Sequence, residues 1–369
     1  MSQIQTHTVR LIAAVLLTTL GAAQAQDALL AKAKAYVTSA TAPVTKWNGP
    51  TTGPKAAAGK SVIYISGDGN NGGVTGVAAG VKEAAGVIGW NYRQIDGRGT
   101  VAGHSTALGQ AIALKPSAIV VGGFDAAEQA DLIGQASAAG IVVVSWHAGP
   151  QSGPIATPKI FTNVTTPIES TATAAAYYAI AQSGGKAGVV VFTDSTARIA
   201  VAKANAMADI IKSCKTCTLL EIRNQAIAGA IPAMPQVTSS LLQKYGNKWN
   251  YSLAINDIYF DGMVPALSAA GIKPTGQVIN ISAGDGSISA YQRIRTGQYQ
   301  DATIPEPLNL QGWQLIDEIN RAFAGQKPSN YSIPVHIVTK ANINADGGDK
   351  NLFDPQNGYR DQYRKIWGK

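Results

Sequence analysis

The residues best equipped for chemistry stand in two short motifs and in a recurring set of polar turns. The first motif is Ser66-Gly-Asp-Gly-Asn-Asn-Gly-Gly73, where Gly67, Gly69 and Gly72 match GxGxxG between a strand-like and a helix-like stretch. Such a loop lets backbone approach a pyrophosphate, and Asp96 follows near the spacing of a ribose-binding acid. That combination favours a dinucleotide site. Against it, Asp68 would set a negative charge beside the pyrophosphate, and Asp68, Asn70 and Asn71 suit hydroxyls or amides instead. The second motif is Cys214-Lys-Thr-Cys217, at the end of a helix-like run. CxxC serves redox chemistry, half of a metal site or a structural disulfide. A redox pair of the thioredoxin kind opens a helix after the first strand of its domain, and this pair follows a helix. A zinc site needs two further ligands, and no second cysteine pair exists. A disulfide closing the helix-to-strand turn is the reading adopted.

The polar turns are Phe124-Asp125, Ser145-Trp146-His147, Asp194-Ser195, Asn256-Asp257, Gly284-Asp285-Gly286 and the later Glu306. Singly, each would serve as an Asx turn or helix cap. Together they supply carboxylates that accept hydroxyl protons, amides, and an indole able to cover the apolar face of a ring. Other chemistry is missing from the pattern. His7, His104, His147 and His336 lack metal-ligand spacing, and there is no GxSxG elbow. No catalytic residue, metal or cofactor is assigned, and the protein is expected not to be an enzyme.

These turns matter because of the elements that carry them. Apolar, β-branched runs at Ser61–Ser66, Asn91–Ile95, Ser117–Val121 and Ile141–Ser145 alternate with helix-like stretches at Gly73–Ala85, Ser105–Ala113 and Ala126–Ala139. After Thr162-Asn163-Val164 the same alternation restarts, with strands predicted at Gly188–Thr193, Thr218–Ile222, Tyr251–Ile255, Val278–Ser282, Ala302–Pro305 and Pro334–Thr339. Alternating strands and helices predict α/β architecture with parallel sheets. Ligands of open parallel sheets bind beyond the carboxyl ends of the strands, where the polar turns stand. A polar, proline-containing lead-in precedes the first strand, and the aromatic-basic tail Tyr359–Trp367 is expected to pack on the surface.

Composition sets the class. The chain has 369 residues, 46% hydrophobic and 14% charged, which suits two packed domains. Its net charge of +8 includes Arg10 and is scattered, without the basic clusters that nucleic-acid binding requires. Arg10, the apolar run Leu11–Leu20 and Ala23-Gln24-Ala25 form the pattern of a secretory signal cleaved after Ala25. The run falls short of the roughly 20 apolar residues of a membrane span.

The motifs Val62-Ile-Tyr-Ile-Ser66, Lys115-Pro-Ser-Ala-Ile-Val120, Ala139-Gly-Ile-Val-Val-Val144, Ala254-Ile-Asn-Asp257, Ser282-Ala-Gly-Asp-Gly286 and Ala302-Thr-Ile-Pro-Glu306 occur in an order and spacing that resembles a known family. The chain is similar to the type I periplasmic binding proteins, in their ribose-binding-protein-like, sugar-binding group. That resemblance implies two Rossmann-like lobes joined by a three-strand hinge, and a periplasmic solute-binding role for an ABC importer. It puts ligand contacts on Asn256, Asp285 and Glu306, on the first loop (Asp68, Asn70, Asn71) and on Trp146 and His147, with Asp125 and Asp257 in the same strand-end set. A basic contact from the second lobe would come from Arg198 or Lys203. Departures are that the first loop lacks an aromatic, that Trp146-His147 stands where a charged pair is common, and that Glu306 replaces an amide. Trp146 is then the stacking surface in the first lobe, or else it packs as core under 148–158.

The expected organisation is a signal segment 1–25, an N-terminal extension 26–59, a first lobe of 60–163 plus 306–330, a second lobe of 164–305 plus 331–341, and a tail 342–369. Expected partners are a sugar-like ligand and an inner-membrane ABC permease with its ATPase, the protein itself being a periplasmic monomer that binds no nucleic acid. The rival readings are an exported nicotinamide-dependent oxidoreductase using Gly67–Gly72 and a ligand sensor of the same fold.

Overall fold

The computed structural model describes Gln24 and residues 26–369; the expected signal segment lies, Gln24 apart, outside the described residues. A helix over 26–40 (α1) comes first. The first lobe then runs β1 (Ser61–Ser66), α2 (Gly72–Ile88), β2 (Asn91–Asp96), α3 (Val101–Ala113), β3 (Ala118–Gly122), α4 (Ala130–Ala138), β4 (Val142–Trp146), β5 (Gly153–Ile155) and β6 (Ile160–Val164). Its strand order is β2-β1-β3-β4-β6-β5, parallel except for the short edge strand β5. Every residue of β3 (AIVVG) is buried, as expected of a central parallel strand covered on both faces. The edge strand β2 (NYRQID) is correspondingly polar and exposed.

The second lobe repeats the plan with α5 (Ile168–Gln182), β7 (Gly188–Thr193), α6 (Arg198–Ser213), β8 (Thr218–Asn224), α7 (Ala230–Tyr245), β9 (Tyr251–Ala254), α8 (Ile258–Ala269), β10 (Ile279–Ser282), α9 (Ile288–Thr296) and β11 (Gln300–Thr303). The chain then returns to the first lobe as α10 (Leu308–Phe323) before β12 (Val338–Thr339) pairs antiparallel with β11. The sheet order is β12-β11-β10-β9-β7-β8. Three segments therefore link the lobes: Val164–Ile168, Thr303–Leu308, and 333–337, whose Ile333 joins the first-lobe core and Ile337 the second. Cys214 and Cys217 are bonded at the α6–β8 turn, with Cα atoms 5.3 Å apart.

Helix α10 is built into the first lobe by close approach to α2. A Cβ on Gly80 would lie 2.7 Å from the Asn309 carbonyl oxygen, and one on Gly312 would overlap the Gly80 backbone, so both positions must be bare. The other face of α10 meets the chain end. Helix α12 (Tyr359–Trp367) buries Tyr359, Tyr363, Ile366 and Trp367, and Trp367 stacks on Trp313 at 5.4 Å between ring centroids. The expected surface segment is thus core, because four of its nine residues are apolar or aromatic on one helical face. The lead-in also differs from expectation: Leu29, Leu30, Ala33, Tyr36, Val37 and Ala40 recur at helical spacing and pack on the second-lobe core. The predicted strand Pro334–Thr339 shrinks to two residues, since its first half is hinge.

Trp146 joins the same first-lobe core. It is 1% exposed, and its indole nitrogen donates to Gln311 Oε1 of α10 at 2.9 Å. The ring therefore packs toward α10 and not under 148–158. Replacing it by alanine (Trp146→Ala) should cost about 3–5 kcal/mol of unliganded stability, the usual range for an excavated core indole. Urea unfolding checks this, and a midpoint equal to that of the parent would show that the indole is not core.

Candidate functional site

A cavity lies between the lobes at the carboxyl ends of the strands, with roughly 510 Å3 of space between atoms, part of it open to solvent. The first lobe lines it with Asn71, Val74, Gly123, Phe124, Trp146 and His147. The second contributes Ala197, Ile199, Ala200, Lys203, Ile227, Ile255, Asn256 and Asp285. Most of these follow strand ends or begin the next helix, with Trp146 closing β4 and Lys203 in the second turn of α6.

On the second-lobe wall Asn256 and Asp285 act as a unit. The Asn256 amide nitrogen donates to Asp285 Oδ2, while its Oδ1 accepts from the Ile258 backbone at 3.0 Å. Asp285 is 5% exposed. Burial pushes its carboxyl up to about 6, against the opposing pull of His147 and Lys203. Lys203, on α6, is 4% exposed and donates to the Ala283 carbonyl at 2.7 Å. An ammonium so placed has two further donors to offer the cavity.

The first-lobe wall is built from a helix cap and an aromatic pair. Asn71 Oδ1 caps α2 by accepting from Gly73 N at 2.9 Å, and its amide nitrogen has no partner among the described residues. His147 takes a left-handed backbone (φ 54), uncommon outside glycine, and its ring stacks on Trp146 at 3.9 Å. Phe124 stacks in turn on His104 at 4.2 Å. Behind His147 stands Glu306, 2% exposed, with Oε1 3.3 Å from the imidazole Nε2. Its Oε2 accepts from Thr166 and from Gln311. Burial alone would raise the Glu306 carboxyl, but His147, Lys203 and the Thr166 hydroxyl outweigh it and bring it down to about 2.

Several residues predicted to touch a ligand have other duties. Glu306 is absent from the cavity wall, because its carboxylate ties two of the lobe-linking segments together through Thr166. Asp257 is fully buried and accepts from Gln300 and Gly286 N, both at 2.8 Å, so it holds the Gly284–Ser287 loop from behind. Asp68 accepts from the Asn70 backbone at 2.8 Å, and both lie outside the cavity wall. Asp125 and Arg198 meet each other instead: two hydrogen bonds of 2.7 and 2.8 Å join them across the mouth of the cleft. Between the two basic candidates, Lys203 lines the cavity and Arg198 does not. Of the candidate residues, Asn71, Trp146, His147, Asn256, Asp285 and Lys203 line this one cavity.

The glycine loop has little left for a dinucleotide. Asp96 accepts from Gly69 N at 3.0 Å and Arg98 N at 2.9 Å, so the candidate ribose acid is engaged by its own loop. The amino end of α2 is met by Asp285, whose carboxylate would overlap a Cβ on Gly73. Among the described residues no group of three His, Cys, Asp or Glu could hold a metal ion, and no helix is long and apolar enough to cross a membrane. The sequence reading missed Phe124 as a wall residue, although it stands beside the flagged Asp125. It also missed the apolar Ile199, Ile227 and Ile255, which carry no polar signal.

The family model described as a periplasmic binding protein domain matches residues 62–327. Among curated protein sequences, nothing matches. Among solved structures, an ABC transporter solute-binding protein from Agrobacterium vitis bound with α-D-tagatopyranose is similar, with TM-score 0.70, 15% identity and coverage of 80% of this chain and 99% of that one. A second solute-binding protein from Agrobacterium vitis, with bound allitol, gives TM-score 0.66 and 19% identity over 78% of this chain and 97% of its own. A sugar ABC transporter protein from Yersinia enterocolitica gives TM-score 0.68 and 16% identity over 84% and 96%. With the matched span covering well over half its length, this chain belongs to the periplasmic binding protein domain family.

Proposed function

We propose that this protein is the exported solute-binding component of an ABC importer and holds a small polar ligand, a sugar or polyol, between its lobes. One observation carries the reading: polar strand-end side chains of both lobes, Asn71 and His147 on one side and Lys203, Asn256 and Asp285 on the other, converge on a single cavity. The sugars and polyols bound by structural neighbours support the ligand class. Apolar side chains (Phe124, Trp146, Ile199, Ile255) would cover the C–H face of a ring, and the polar groups would fix its hydroxyls. A ligand that touches both lobes gains all its contacts only when they close, so it draws the equilibrium toward the closed form. That form would dock as a monomer on an inner-membrane permease driven by its ATPase. Residues 1–25 would direct export to the periplasm and be removed.

Asn256→Ala and Asp285→Ala should each weaken binding by about 1–3 kcal/mol, the range for a ligand hydroxyl left without its partner. Calorimetry with the ligand released from purified protein, and circular dichroism for the fold, measure this; two variants of parental affinity would refute the site. The pH dependence has a definite sign. A ligand hydroxyl donating to Asp285 requires the carboxylate, so affinity should fall as pH drops through about 6, and Asp285→Asn should flatten the profile. The unliganded protein behaves oppositely. A folded pKa raised above the unfolded value means that this group's contribution to stability declines as pH rises from about 4 toward 6.

The Asp125–Arg198 pair exists only when the lobes are close. Its arginine side chain is 60% exposed, which limits its worth to about 1 kcal/mol or less. Arg198→Ala should therefore speed ligand release by no more than about fivefold, and adding Asp125→Ala should have little further effect. Additive losses in stopped-flow measurements would mean that each residue contacts ligand separately.

Export to an oxidising compartment predicts a closed Cys214–Cys217 pair. Thiol titration of denatured protein should find no free thiol before reduction, and reduction should cost little stability because the loop is short. Two titratable thiols would exclude it.

A further inference from the structure

Two segments outside the matched span 62–327 also run from one lobe to the other. The first begins on the second lobe. There α1 is fixed by the Lys215 backbone donating to Gln26 Oε1 at 3.0 Å, by Tyr36 edge-on to Tyr177, and by Ile337 N donating to the Ala40 carbonyl at 2.9 Å. By Trp47 the chain has reached the first lobe, where that indole packs on Tyr331 and Tyr363. The following residues are held by α10: Arg321 donates to the Thr52 carbonyl at 2.6 Å and Asn320 to that of Pro54 at 3.0 Å.

The second segment is the chain end. On the second lobe, α11 (Ile343–Asp346) buries Ile343 with Tyr291 and Ile294, and Arg295 of α9 donates to the Gly348 carbonyl at 2.9 Å. On the first lobe, Arg360 pairs with Glu83 of α2 at 2.7 Å, and α12 closes over Trp313. The two segments meet at the hinge. Val44 packs on the cluster that holds Phe353, and Phe353 stacks on His336 of the third lobe-linking segment at 4.6 Å.

We propose that 41–47 and 347–359 are straps that limit how far the lobes open. The inference rests on the hinge closure proposed above. With them the hinge bends against five chain segments, these two and the three already described. The reach of the first strap is short: Val44 and Trp47 are three residues apart, so their separation cannot exceed about 10 Å even fully extended. Opening beyond that would detach Val44 from the Phe353 cluster or Trp47 from Tyr363. The structural neighbours, themselves covered almost completely, leave about a fifth of this chain unmatched.

The test gives the straps slack while leaving every anchor in place. Spin labels go on Gln110→Cys of α3 and Gln236→Cys of α7, both exposed and on opposite lobes, with the native disulfide kept oxidised. Flexible Gly-Ser inserts are placed after Thr45 and after Gln356, alone and together, and a second pair of variants carries a protease site at the same points. Pulsed electron resonance then measures the interlobe distance in ligand-free protein, with melting curves as a control for intact lobes. The expected result is a narrow distribution in the parent and a broader, longer one, by several ångströms, when both straps are slackened or cut. An unchanged distribution in the slackened and cut proteins overturns the straps. Arg198→Ala in the cut protein then separates the two ideas: movement there leaves hinge closure standing without straps, and no movement in any variant removes both.

Discussion

A single buried carboxylate constrains the centre of this molecule. Glu306 stands 2% exposed where the chain leaves the second-lobe sheet for α10, and an ionised group buried there is costly unless it is paired and hydrogen-bonded. Thr166 from the first lobe-linking segment and Gln311 from α10 supply the hydrogen bonds, and His147 lies against the other oxygen. Gln311 in turn accepts from the Trp146 indole, on which His147 stacks. The hinge and the first-lobe wall of the cavity are thus one hydrogen-bonded unit. Removing Gln311 would leave the buried Trp146 indole nitrogen unpaired, which costs more than the bond itself contributes.

The same economy of side chains runs through the cavity. Asn71 and Asn256 each use their carbonyl oxygen to fix local backbone, while the amide nitrogen of Asn256 donates to Asp285 and that of Asn71 has no partner among the described residues. The fold therefore orients these cavity-lining amides with bonds it needs in any case to begin α2 and α8. Asp257 and Asp125 carry this further. Their carboxylates are committed to a loop and to an interlobe pair, and neither is free for a solute.

This explains how far the sequence could be read. Strand ends were legible where a buried parallel strand leaves an apolar run that stops at a polar turn, as in β1, β3 and β4, whereas β5 and β6 were not predicted as strands. Which polar residue at each turn faces the cavity was not legible. Asn256 and Asp257 are neighbours with equal claims, and tertiary partners such as Gly286 N and Gln300, 29 and 43 residues on, hold Asp257 inward. Arg198 and Lys203 lie on one helix, and tertiary placement alone puts the first on the rim and the second in the wall. The apolar wall was invisible because Ile199, Ile227 and Ile255 read as core. The ends of the chain were underestimated for a different reason: α1 and α12 bury one face only, and short amphipathic stretches beside proline and glycine resemble surface linkers until their partners are known.

The closed form depends on two kinds of interaction with different reach. At the mouth, Asp125 and Arg198 attract over a few ångströms, and with the arginine half in solvent the attraction decays as soon as water enters between them. Such a contact biases closure without setting its limit. At the opposite edge the lobes are joined by covalent chain, whose resistance is negligible until a segment is taut and then rises steeply. Electrostatics at the mouth therefore adds a small bias toward the shut cleft, and on the strap proposal the geometry of the chain at the hinge sets how wide it opens. The side chains of the second-lobe wall, Lys203, Asn256 and Asp285, form no hydrogen bond with either the mouth pair or the hinge network of Glu306, Thr166 and Gln311.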